Sequence, residues 1–344
     1  MDERYIVIGA GAVGGVVGAR LHRAGRQVVL VARGEHGAAL REHGLTVHGP
    51  AGADTARIPV AAGPQEVELR EGDVLLLAVK TQDTAAALAD WADRPVGPAG
   101  ARAGARLPLV CLQNGVENER LALRHFRRVY GAMVVLPAAF LTPGEVRTWC
   151  GPRTGALALG RYPDGADDTV RQIAADLTAA DFRAEVVEDV LRWKYGKLVD
   201  NLANAVDALC GQRPGAESAE LAVRARAEAV AVLERSGIAF ATPEELTELR
   251  LGAVERRPSD PGAGHGSTWQ SLKRGGRSAE VDYLNGEVVL LGRGCGVPTP
   301  VNELLQELVH RWVRERREPG SLAVAELAEL IGRAADEQPL AAGQ

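Results

Sequence analysis

Short apolar runs recur through the first half of the chain, separated by segments of helical character. These runs predict strands at residues 5–8, 27–32, 73–79, 107–112, 129–136, 155–160 and 182–187. Apolar runs without polar alternation, spaced by helices, are typical of a parallel sheet that helices cover on both faces. Residues 1–187 are therefore predicted to form an α/β domain built on such a sheet.

The second half has a different pattern, in which apolar residues recur at helical spacing. Helices are predicted at residues 189–209, 218–235, 243–257 and 300–317, and the last carries one apolar stripe from Leu304 to Val313. Glycine and proline cluster at residues 258–266, which predicts a loop. Residues 188–334 are thus predicted to form an all-helical domain, and residues 335–344 a flexible tail.

The composition fits two globular domains and excludes several classes of protein. The chain has 344 residues, of which 46% are hydrophobic and 25% charged, and its net charge is −5. That charge argues against a broad surface for nucleic acid or anionic membranes, and no apolar run approaches the ~18 residues of a membrane span. The N-terminus is unlike a signal peptide, and four widely spaced cysteines favour reduced thiols, so we expect a cytoplasmic protein. We expect no metal site, because no cluster has metal-ligand spacing.

The first predicted strand is followed by the pattern G-x-G-x-x-G, from Gly9 to Gly14. Gly9 permits the tight turn, Gly11 lets a pyrophosphate approach the backbone, and Gly14 allows close packing of helix and strand. The N–H groups of Ala12 and Val13, at the helix N-terminus, are donors for the phosphates. Between a strand and a helix, this pattern predicts a Rossmann-type dinucleotide site rather than a plain glycine-rich turn.

The end of the second strand bears on which dinucleotide is bound. A site for NAD usually has an acidic residue here for the ribose 2′-hydroxyl, whereas this chain has Arg33. A guanidinium suits a 2′-phosphate through its charge and paired donors, so NADP(H) is the predicted cofactor. Glu35 and His36 follow directly, which leaves dual use open, and a mere surface charge is the alternative interpretation of Arg33.

Two further predicted strands end in polar residues, with Lys80 after one and Asn114 after the other. In an open α/β sheet, ligands bind beyond the carboxyl ends of the strands. A solvated lysine and a turn-forming asparagine are the alternative interpretations. Their occurrence together at this edge favours contact with cofactor or substrate.

Lysine is scarce, which draws attention to one helical segment. Only four of the 40 basic residues are lysines, at positions 80, 194, 197 and 273, and codon bias accounts for the scarcity itself. Lys197, Asn201 and Asn204 are spaced i, i+4 and i+7, so they share one helical face. A lysine, unlike an arginine, can be tuned to release a proton near neutral pH. This face is a candidate for protonating the oxygen of a carbonyl under reduction, with a polar surface face as the alternative.

Together these motifs resemble the ketopantoate reductase (2-dehydropantoate 2-reductase) family. The likeness rests on GAGAVGG at 9–15, AVKTQ at 78–82, QNGVENE at 113–119, KYGKLVDNLANAV at 194–206 and STWQSLKRGGRSAEVDYLNGEVV at 267–289. It covers most of residues 4–315 in the family's order. The resemblance implies a Rossmann domain followed by an all-helical domain, and NADPH-dependent reduction of 2-dehydropantoate to (R)-pantoate in pantothenate and coenzyme A biosynthesis.

The resemblance also implies roles at the reacting carbonyl. Lys197 matches the family's catalytic lysine, Asn201 its substrate-binding asparagine, and Glu280 the glutamate that engages the reacting oxygen. Ser267 or Thr268 takes the place of the serine that holds the substrate carboxylate. Lys197 is then the expected general acid for the alkoxide that develops at C2.

The cofactor contacts implied by the resemblance come from both halves of the chain. Lys80 and Asn114 match residues that contact nicotinamide and substrate, and Arg33 matches the arginine of the 2′-phosphate. Glu280 is expected to contact the cofactor as well as the reacting oxygen.

One departure from the family leaves the substrate open. The family often has a second asparagine eight positions after the lysine, where this chain has Ala205, preceded by Asn204. A paralogous NADP-dependent reductase of another 2-oxo acid or of an imine is therefore the alternative enzyme, and a non-catalytic NADP-binding sensor is a more distant one. The expected partner is a small 2-oxo acid, without nucleic acid or membrane, and a homodimer is compatible with the sequence.

Overall fold

The computed structural model describes residues 3–211, 216–256, 265–276 and 278–337. The chain divides into two units, the first of residues 1–194 and 244–259 and the second of residues 195–243 and 260–344. The strands are β1 (Arg4–Ile8), β2 (Gln27–Val31), β3 (Leu45–Gly49), β4 (Gly52–Ala56), β5 (Val60–Ala61), β6 (Asp73–Leu77), β7 (Pro95–Val96), β8 (Ala101–Arg102), β9 (Pro108–Cys111), β10 (Arg128–Val135), β11 (Ala138–Ala139), β12 (Glu145–Thr148), β13 (Cys150–Pro152), β14 (Gly155–Arg161), β15 (Phe182–Val186) and β16 (Val254–Arg256). The helices are α1 (Ala12–Arg23), α2 (Gly34–His43), α3 (Thr84–Ala92), α4 (Ala103–Arg106), α5 (Asn118–Leu123), α6 (Asp168–Ala179), α7 (Val190–Asn201), α8 (Ala203–Cys210), α9 (Ala216–Arg235), α10 (Pro243–Arg250), α11 (Ser267–Lys273), α12 (Asn285–Cys295), α13 (Pro300–Glu315) and α14 (Val324–Glu337).

The main sheet of the first unit contains, among the described residues, eight strands in the order β15-β14-β10-β9-β6-β1-β2-β5. Neighbouring strands are parallel except β10 and β14, which are antiparallel. The predicted Rossmann-type parallel sheet is thus confirmed, although the sheet as a whole is mixed. Between β10 and β14 the chain forms only short strands and no crossover helix, and an antiparallel return needs none.

The absence of polar alternation in β1 follows from burial of both faces of the sheet. Tyr5 and Val7 belong to the apolar core that also contains residues of α1 and α6. Ile6 and Ile8 point to the opposite face and belong to the core that contains residues of α3 and α5. All four side chains are buried, so the strand reads as one continuous apolar run.

A second sheet of the first unit is not predicted by the sequence pattern. It has the strand order β11-β12-β3-β4. Its β4 residues are largely exposed and carry few apolar side chains, so no hydrophobic run marks the strand. The sheet packs against α1 at Gly15, where an added Cβ would lie 3.0 Å from Val146 Cγ1.

The second unit is helical in its described residues, as predicted for the C-terminal half. In the α13 stripe, Leu305, Leu308, Val309 and Trp312 are buried in the core of this unit. Helix α12 lies outside the predicted helices because its three glycines make it a poor helix former by itself. Its buried Val288 packs into the same core, with Leu291 partly buried against it, so tertiary contacts stabilise the helix.

The prediction of one helix at residues 243–257 is wrong. Helix α10 ends at Arg250, and β16 pairs with β13 in an antiparallel ladder. An ion pair of 2.6 Å between Arg192 and Glu245 also ties this segment to residues of the first unit. The segment therefore belongs to the first unit, which differs from the contiguous helical domain expected from the sequence.

The other boundaries differ by a few residues. The predicted boundary follows residue 187, whereas the division in the structure follows Lys194, inside α7. Residues 335–337 of the predicted tail are helical, as the last residues of α14. Residues 257–264, which include most of the predicted loop, and residues 338–344 lie outside the described residues.

Three further observations concern the described residues as a whole. None of their helices combines the length and the apolar character needed to cross a membrane. They contain no group of three or more histidine, cysteine or acidic residues arranged to hold a metal ion. The four cysteines are free thiols, and three of them are buried.

Candidate active site

The glycine-rich loop joins β1 to α1 at the carboxyl end of the sheet. Gly9 has a φ of +102°, which side chains rarely adopt, and an added Cβ would lie 2.8 Å from the backbone nitrogen of Val79. An added Cβ at Gly14 would lie 2.1 Å from the Gly9 oxygen, so only glycine allows this approach of helix and loop. At Gly11, by contrast, nothing lies within 4 Å of the Cβ position, which leaves its backbone open to a ligand.

Helix α1 begins directly behind the open position at Gly11. Its first turn contains no acidic residue, so the N–H groups of Ala12 and Val13 and the positive end of the helix dipole favour an anion. The N–H groups of Gly9 and Ala10 each donate to the Val31 carbonyl at 3.2 Å, which holds the loop against the end of β2. The structure thus brings the predicted phosphate-binding residues together.

Arg33 follows β2 and is exposed at the N-cap of α2. Its carbonyl accepts a hydrogen bond from Gly37 N–H at 3.2 Å, but its side chain forms no hydrogen bond or ion pair with other described residues, so the guanidinium is available to a ligand. His36, in contrast, accepts a hydrogen bond from Gly144 N–H at Nδ1 (3.0 Å), and its Nε2 lies 2.8 Å from the Ala10 carbonyl. Nε2 therefore carries the proton, and burial lowers the pKa of His36, opposed by the Ala10 carbonyl. His36 thus holds the glycine loop, whereas the side chains of Arg33 and Glu35 beside it are exposed.

Lys80 and Asn114 lie at matching positions on adjacent strands. Leu77, the last residue of β6, pairs with Cys111, the last residue of β9, and each polar residue follows three positions later. Since β6 also pairs with β1, the two residues stand beside the glycine loop on the side away from Arg33. From β2 to β9 there are three strand spacings of about 4.8 Å each, which suits an extended dinucleotide. The structure therefore brings the predicted cofactor residues of the first unit to one edge.

A buried polar network connects the loops that carry Lys80 and Asn114. Asn118 accepts a hydrogen bond from Thr84 Oγ1 at 2.7 Å, and its Nδ2 donates to Thr81 Oγ1 at 3.3 Å and to the Asn114 carbonyl at 3.1 Å. Gln113 Nε2 donates to Thr84 Oγ1 at 2.9 Å. These bonds orient the two loops relative to each other, and sequence reasoning about single strand ends did not identify them.

Lys197 lies in α7 within the second unit. Its Nζ donates to Asp200 Oδ2 at 3.0 Å, and Arg226 Nη2 lies 3.4 Å from Asp200 Oδ1. The Lys197 side chain is 18% exposed, and Asn201 is buried. The ammonium is therefore held by a carboxylate yet retains access to a ligand. Asp200 is a member of this site that the sequence analysis missed, although it stands within the quoted motif.

The predicted face of Lys197, Asn201 and Asn204 is interrupted. Helix α7 ends at Asn201 and α8 begins at Ala203, so Asn204 stands beyond a break at Leu202. Asn204 lies against Gly266, where an added Cβ would be 2.6 Å from its Oδ1. Asn204 therefore lies beside the start of α11, which carries Ser267 and Thr268.

Asp207 in α8 holds the start of α11 in place. Its Oδ2 accepts a hydrogen bond from Gly266 N–H at 2.6 Å, and its Oδ1 lies 2.9 Å from His265 Nδ1. His265 in turn stacks on Trp269 with 3.9 Å between ring centroids. These contacts fix the residue that precedes Ser267, and no sequence signal identified them.

Ser267 is distinguished from Thr268 by the surroundings of its hydroxyl group. Its Oγ is buried and has no hydrogen-bond partner among the described residues, whereas the neighbouring Ser271 hydroxyl donates to the Ser267 carbonyl at 3.0 Å. Thr268 is buried. A buried hydroxyl without a partner carries a desolvation cost, which a hydrogen bond to a bound ligand would remove.

Glu280 is the first residue of a 3₁₀ helix that ends at Tyr283, and its side chain is buried. Desolvation lowers the pKa of Arg274, and the charge of Glu280 opposes this, so the carboxylate lies near a cation at the end of α11. With Lys197, Asn201, Asn204, Ser267 and Thr268 it belongs to the second unit, whereas the predicted dinucleotide residues before it in the chain belong to the first.

Two family models match most of this chain. The model described as ketopantoate reductase PanE/ApbA matches residues 5–164, which include the glycine loop, Arg33, Lys80 and Asn114. The model of the C-terminal part of the same family matches residues 189–313, which include Lys197 and Glu280.

Individual relatives extend the match over nearly the whole chain. The 2-dehydropantoate 2-reductase of Archaeoglobus fulgidus is 30% identical over 314 residues, which are 89% of this chain and 97% of that protein. The structure of a PanE/ApbA family ketopantoate reductase from Ralstonia eutropha JMP134 is 29% identical, with a TM-score of 0.73 over 92% of this chain and 100% of that one. A structure of D-mandelate dehydrogenase with NADH and anilino(oxo)acetate has a TM-score of 0.76 over 91% of this chain and 99% of that one. Its sequence is 23% identical, so this last likeness shows the fold alone.

Proposed function

The chain belongs to the ketopantoate reductase PanE/ApbA family of oxidoreductases, and on that premise we propose that it reduces 2-dehydropantoate to (R)-pantoate with NADPH. Two observations support the proposal, each within its own unit: the first unit has an open dinucleotide loop, and the second has the helix segment that carries Lys197. The product places the proposed reaction in the biosynthesis of pantothenate and coenzyme A.

The proposed cofactor fits the residues at the edge of the sheet. The open backbone at Gly11 and the N-terminus of α1 would hold the pyrophosphate. The Arg33 side chain, exposed and without a partner among the described residues, would bind the 2′-phosphate through paired charged hydrogen bonds. Lys80 and Asn114 would contact the nicotinamide end, and bound NADPH supplies the hydride.

Lys197 is the proposed general acid. Hydride addition to C2 leaves negative charge on its oxygen, and Lys197 Nζ would donate a proton to that oxygen and afterwards take one from water. The bond to Asp200 orients the ammonium for this transfer. Asn201 would donate a hydrogen bond to the substrate, and Glu280 would accept one beside the reacting oxygen and near the nicotinamide.

Turnover with a panel of 2-oxo acids tests the proposal. The expected result is oxidation of NADPH, followed by its absorbance, with 2-dehydropantoate as the preferred substrate. Efficient reduction of another 2-oxo acid while 2-dehydropantoate is inert would instead select the paralogous reductase. Binding of NADPH without oxidation by any member would select the sensor.

The paralogous reductase has one observation in its favour. Ala205, where the family often has asparagine, is buried in the apolar core of the second unit. Asn204 lies against Gly266, so it does not take over that position on the helix. One amide contact to the substrate is therefore replaced or lost. The panel for this reason includes 2-oxo acids whose side chains differ from that of 2-dehydropantoate.

Ser267→Ala is expected to raise KM for the 2-oxo acid by about 10-fold or more, since a hydrogen bond to a charged group contributes roughly 1.5–3 kcal/mol. The melting temperature is expected to stay equal or rise, because the Oγ has no partner among the described residues. Steady-state kinetics and thermal unfolding measure both. Ser271→Ala is the control, with reduced stability and unchanged KM, because its hydroxyl bonds only the Ser267 carbonyl in the described structure. A raised KM in Thr268→Val but not in Ser267→Ala would assign the carboxylate to Thr268.

A further inference from the structure

Lys194 forms a buried ion pair with Glu119 that the proposed chemistry does not use. Lys194 Nζ donates to Glu119 Oε1 and, at 3.1 Å, to the carbonyl of Gln113. The two side chains are 2% and 0% exposed. Glu119 Oε2 has no hydrogen-bond partner among the other described residues. The ion pair thus joins α7 to α5, and the bond to Gln113 joins α7 to the loop after β9, both in the buried interior.

Stability alone does not account for this pair. Burial raises the pKa of Glu119, and the charge of Lys194 opposes that rise. Burial also raises the pKa of the nearby Cys111 thiol, and the charge of Glu119 adds to it. The surroundings therefore disfavour charge, and a buried ion pair generally adds little compared with apolar residues of the same size. What the ion pair provides that apolar residues would not is a contact of fixed direction between Lys194 and Glu119.

The pair lies on the face of α7 that packs against the main sheet. One turn before Lys194, Val190 fills the space over Gly131, where an added Cβ would lie 3.0 Å from Val190 Cγ1. Val190, Lys194, Lys197 and Asn201 are spaced i, i+4, i+7 and i+11, so they fall within about 60° around the helix axis. The anchored face of the helix therefore continues directly into the face that carries Lys197.

The other end of the anchor is the loop that carries Asn114. Gln113, whose carbonyl accepts the bond from Lys194, directly precedes Asn114. The same loop is braced by Asn118, which donates to the Asn114 carbonyl at 3.1 Å. Lys194 thus contacts a loop whose own geometry is already restrained.

We propose that Lys194 and Glu119 are positioning residues, which fix the rotation of α7 about its axis and thereby direct the Lys197 ammonium. The inference rests on the proposed role of Lys197 as general acid. Lys197 is three residues, or about 4.5 Å of helix rise, beyond the anchor, so a rotation at Lys194 is transmitted to it almost undiminished. A misplacement of about 1 Å at a reacting group costs on the order of 10²-fold in rate.

The experiment compares Lys194→Met with the double variant Lys194→Met/Glu119→Gln, on whichever 2-oxo acid the native chain reduces. In the single variant Glu119 loses its partner, and Tm is expected to fall by about 10 °C. In the double variant no charge is left unpaired, and Tm is expected within about 3 °C of the native value. Its kcat is nevertheless expected to be about 10- to 100-fold lower, with Kd for NADPH changed less than about threefold.

The matched control removes a different ion pair from the same helix. Arg192 and Glu245 are partly exposed, so Arg192→Met/Glu245→Gln is expected to keep kcat within about threefold of the native value. A Lys194→Met/Glu119→Gln variant with restored Tm and near-native kcat would overturn the proposal, because the pair would then serve stability only.

Amide hydrogen exchange gives a readout that does not depend on turnover. In the double variant, the amides of residues 195–201 are expected to exchange at least about tenfold faster, while those of α9 are unchanged. Unchanged exchange at residues 195–201 would show that the Lys194–Glu119 pair does not anchor this part of α7, and the proposal would be wrong. A native chain that reduces no 2-oxo acid would contradict the proposed function instead, and the exchange result would still decide whether the anchor exists.

Discussion

Lys197→Ala is expected to lower kcat by about 10²- to 10⁴-fold, the usual contribution of a general acid. The substitution removes the ammonium that is held by Asp200 at 3.0 Å and leaves the glycine loop and Arg33 in the other unit unaltered. Dinucleotide binding is therefore expected to persist. Steady-state kinetics and titration of NADPH fluorescence measure the two effects separately.

Two further lysine variants test whether the effect comes from proton transfer and whether it is specific to Lys197. Lys197→Arg keeps the positive charge, but an arginine cannot release a proton near neutral pH. A low kcat in this variant would indicate that Lys197 transfers a proton and does not only supply charge. Lys273→Ala removes an exposed lysine paired with Glu318 at 3.0 Å and is expected to have native activity. Near-native turnover in Lys197→Ala would contradict its role as general acid.

Arg33→Ala is expected to weaken NADPH binding by about 10- to 100-fold, since charged hydrogen bonds contribute roughly 1.5–3 kcal/mol. NADH lacks the 2′-phosphate, so its binding is expected to change little. The Arg33 side chain has no partner among the described residues and is exposed, so its removal should not disturb the fold. Fluorescence titrations with both dinucleotides measure the ratio.

Arg41→Ala is the matched control for Arg33. Arg41 also lies in the α2 segment and pairs with Glu66 at 3.2 Å in an exposed ion pair, which typically contributes little. Both dinucleotides are expected to bind this variant as they bind the native chain. Equal losses for NADPH and NADH in Arg33→Ala would remove its 2′-phosphate role.

The dinucleotide half of the candidate site was predictable because its geometry is local or follows from parallel strands. Gly9 needs glycine for its positive φ, and Gly14 needs it for its close approach to the Gly9 oxygen five residues earlier, so the pattern is recognisable within a few residues. Lys80 and Asn114 could be placed at one edge because parallel strands of similar length end together, as the pairing of Leu77 with Cys111 shows.

The substrate half was predictable only in part. Lys197 and Asn201 stand in one helix, so their spacing was sufficient. Asn204 stands beyond the end of α7 and lies against Gly266, a contact between distant segments that helical spacing does not predict. The segment 243–257 failed similarly, because β16 exists through its pairing with β13, about a hundred residues earlier.

The sequence by itself determined the class of this protein, a Rossmann-type domain followed by a helical one, and it supplied the dinucleotide loop and the lysine on which the proposals rest. Each of these depends on near neighbours in the chain or on the period of apolar residues. Only the tertiary structure decided that Ser267 has a buried hydroxyl without a described partner, that Asp200 holds Lys197, and that Lys194 is tied to Glu119. The hydrogen-bond partners and the burial of a side chain depend on which distant segments pack together. The spacing of residues along one helix or strand does not determine that packing.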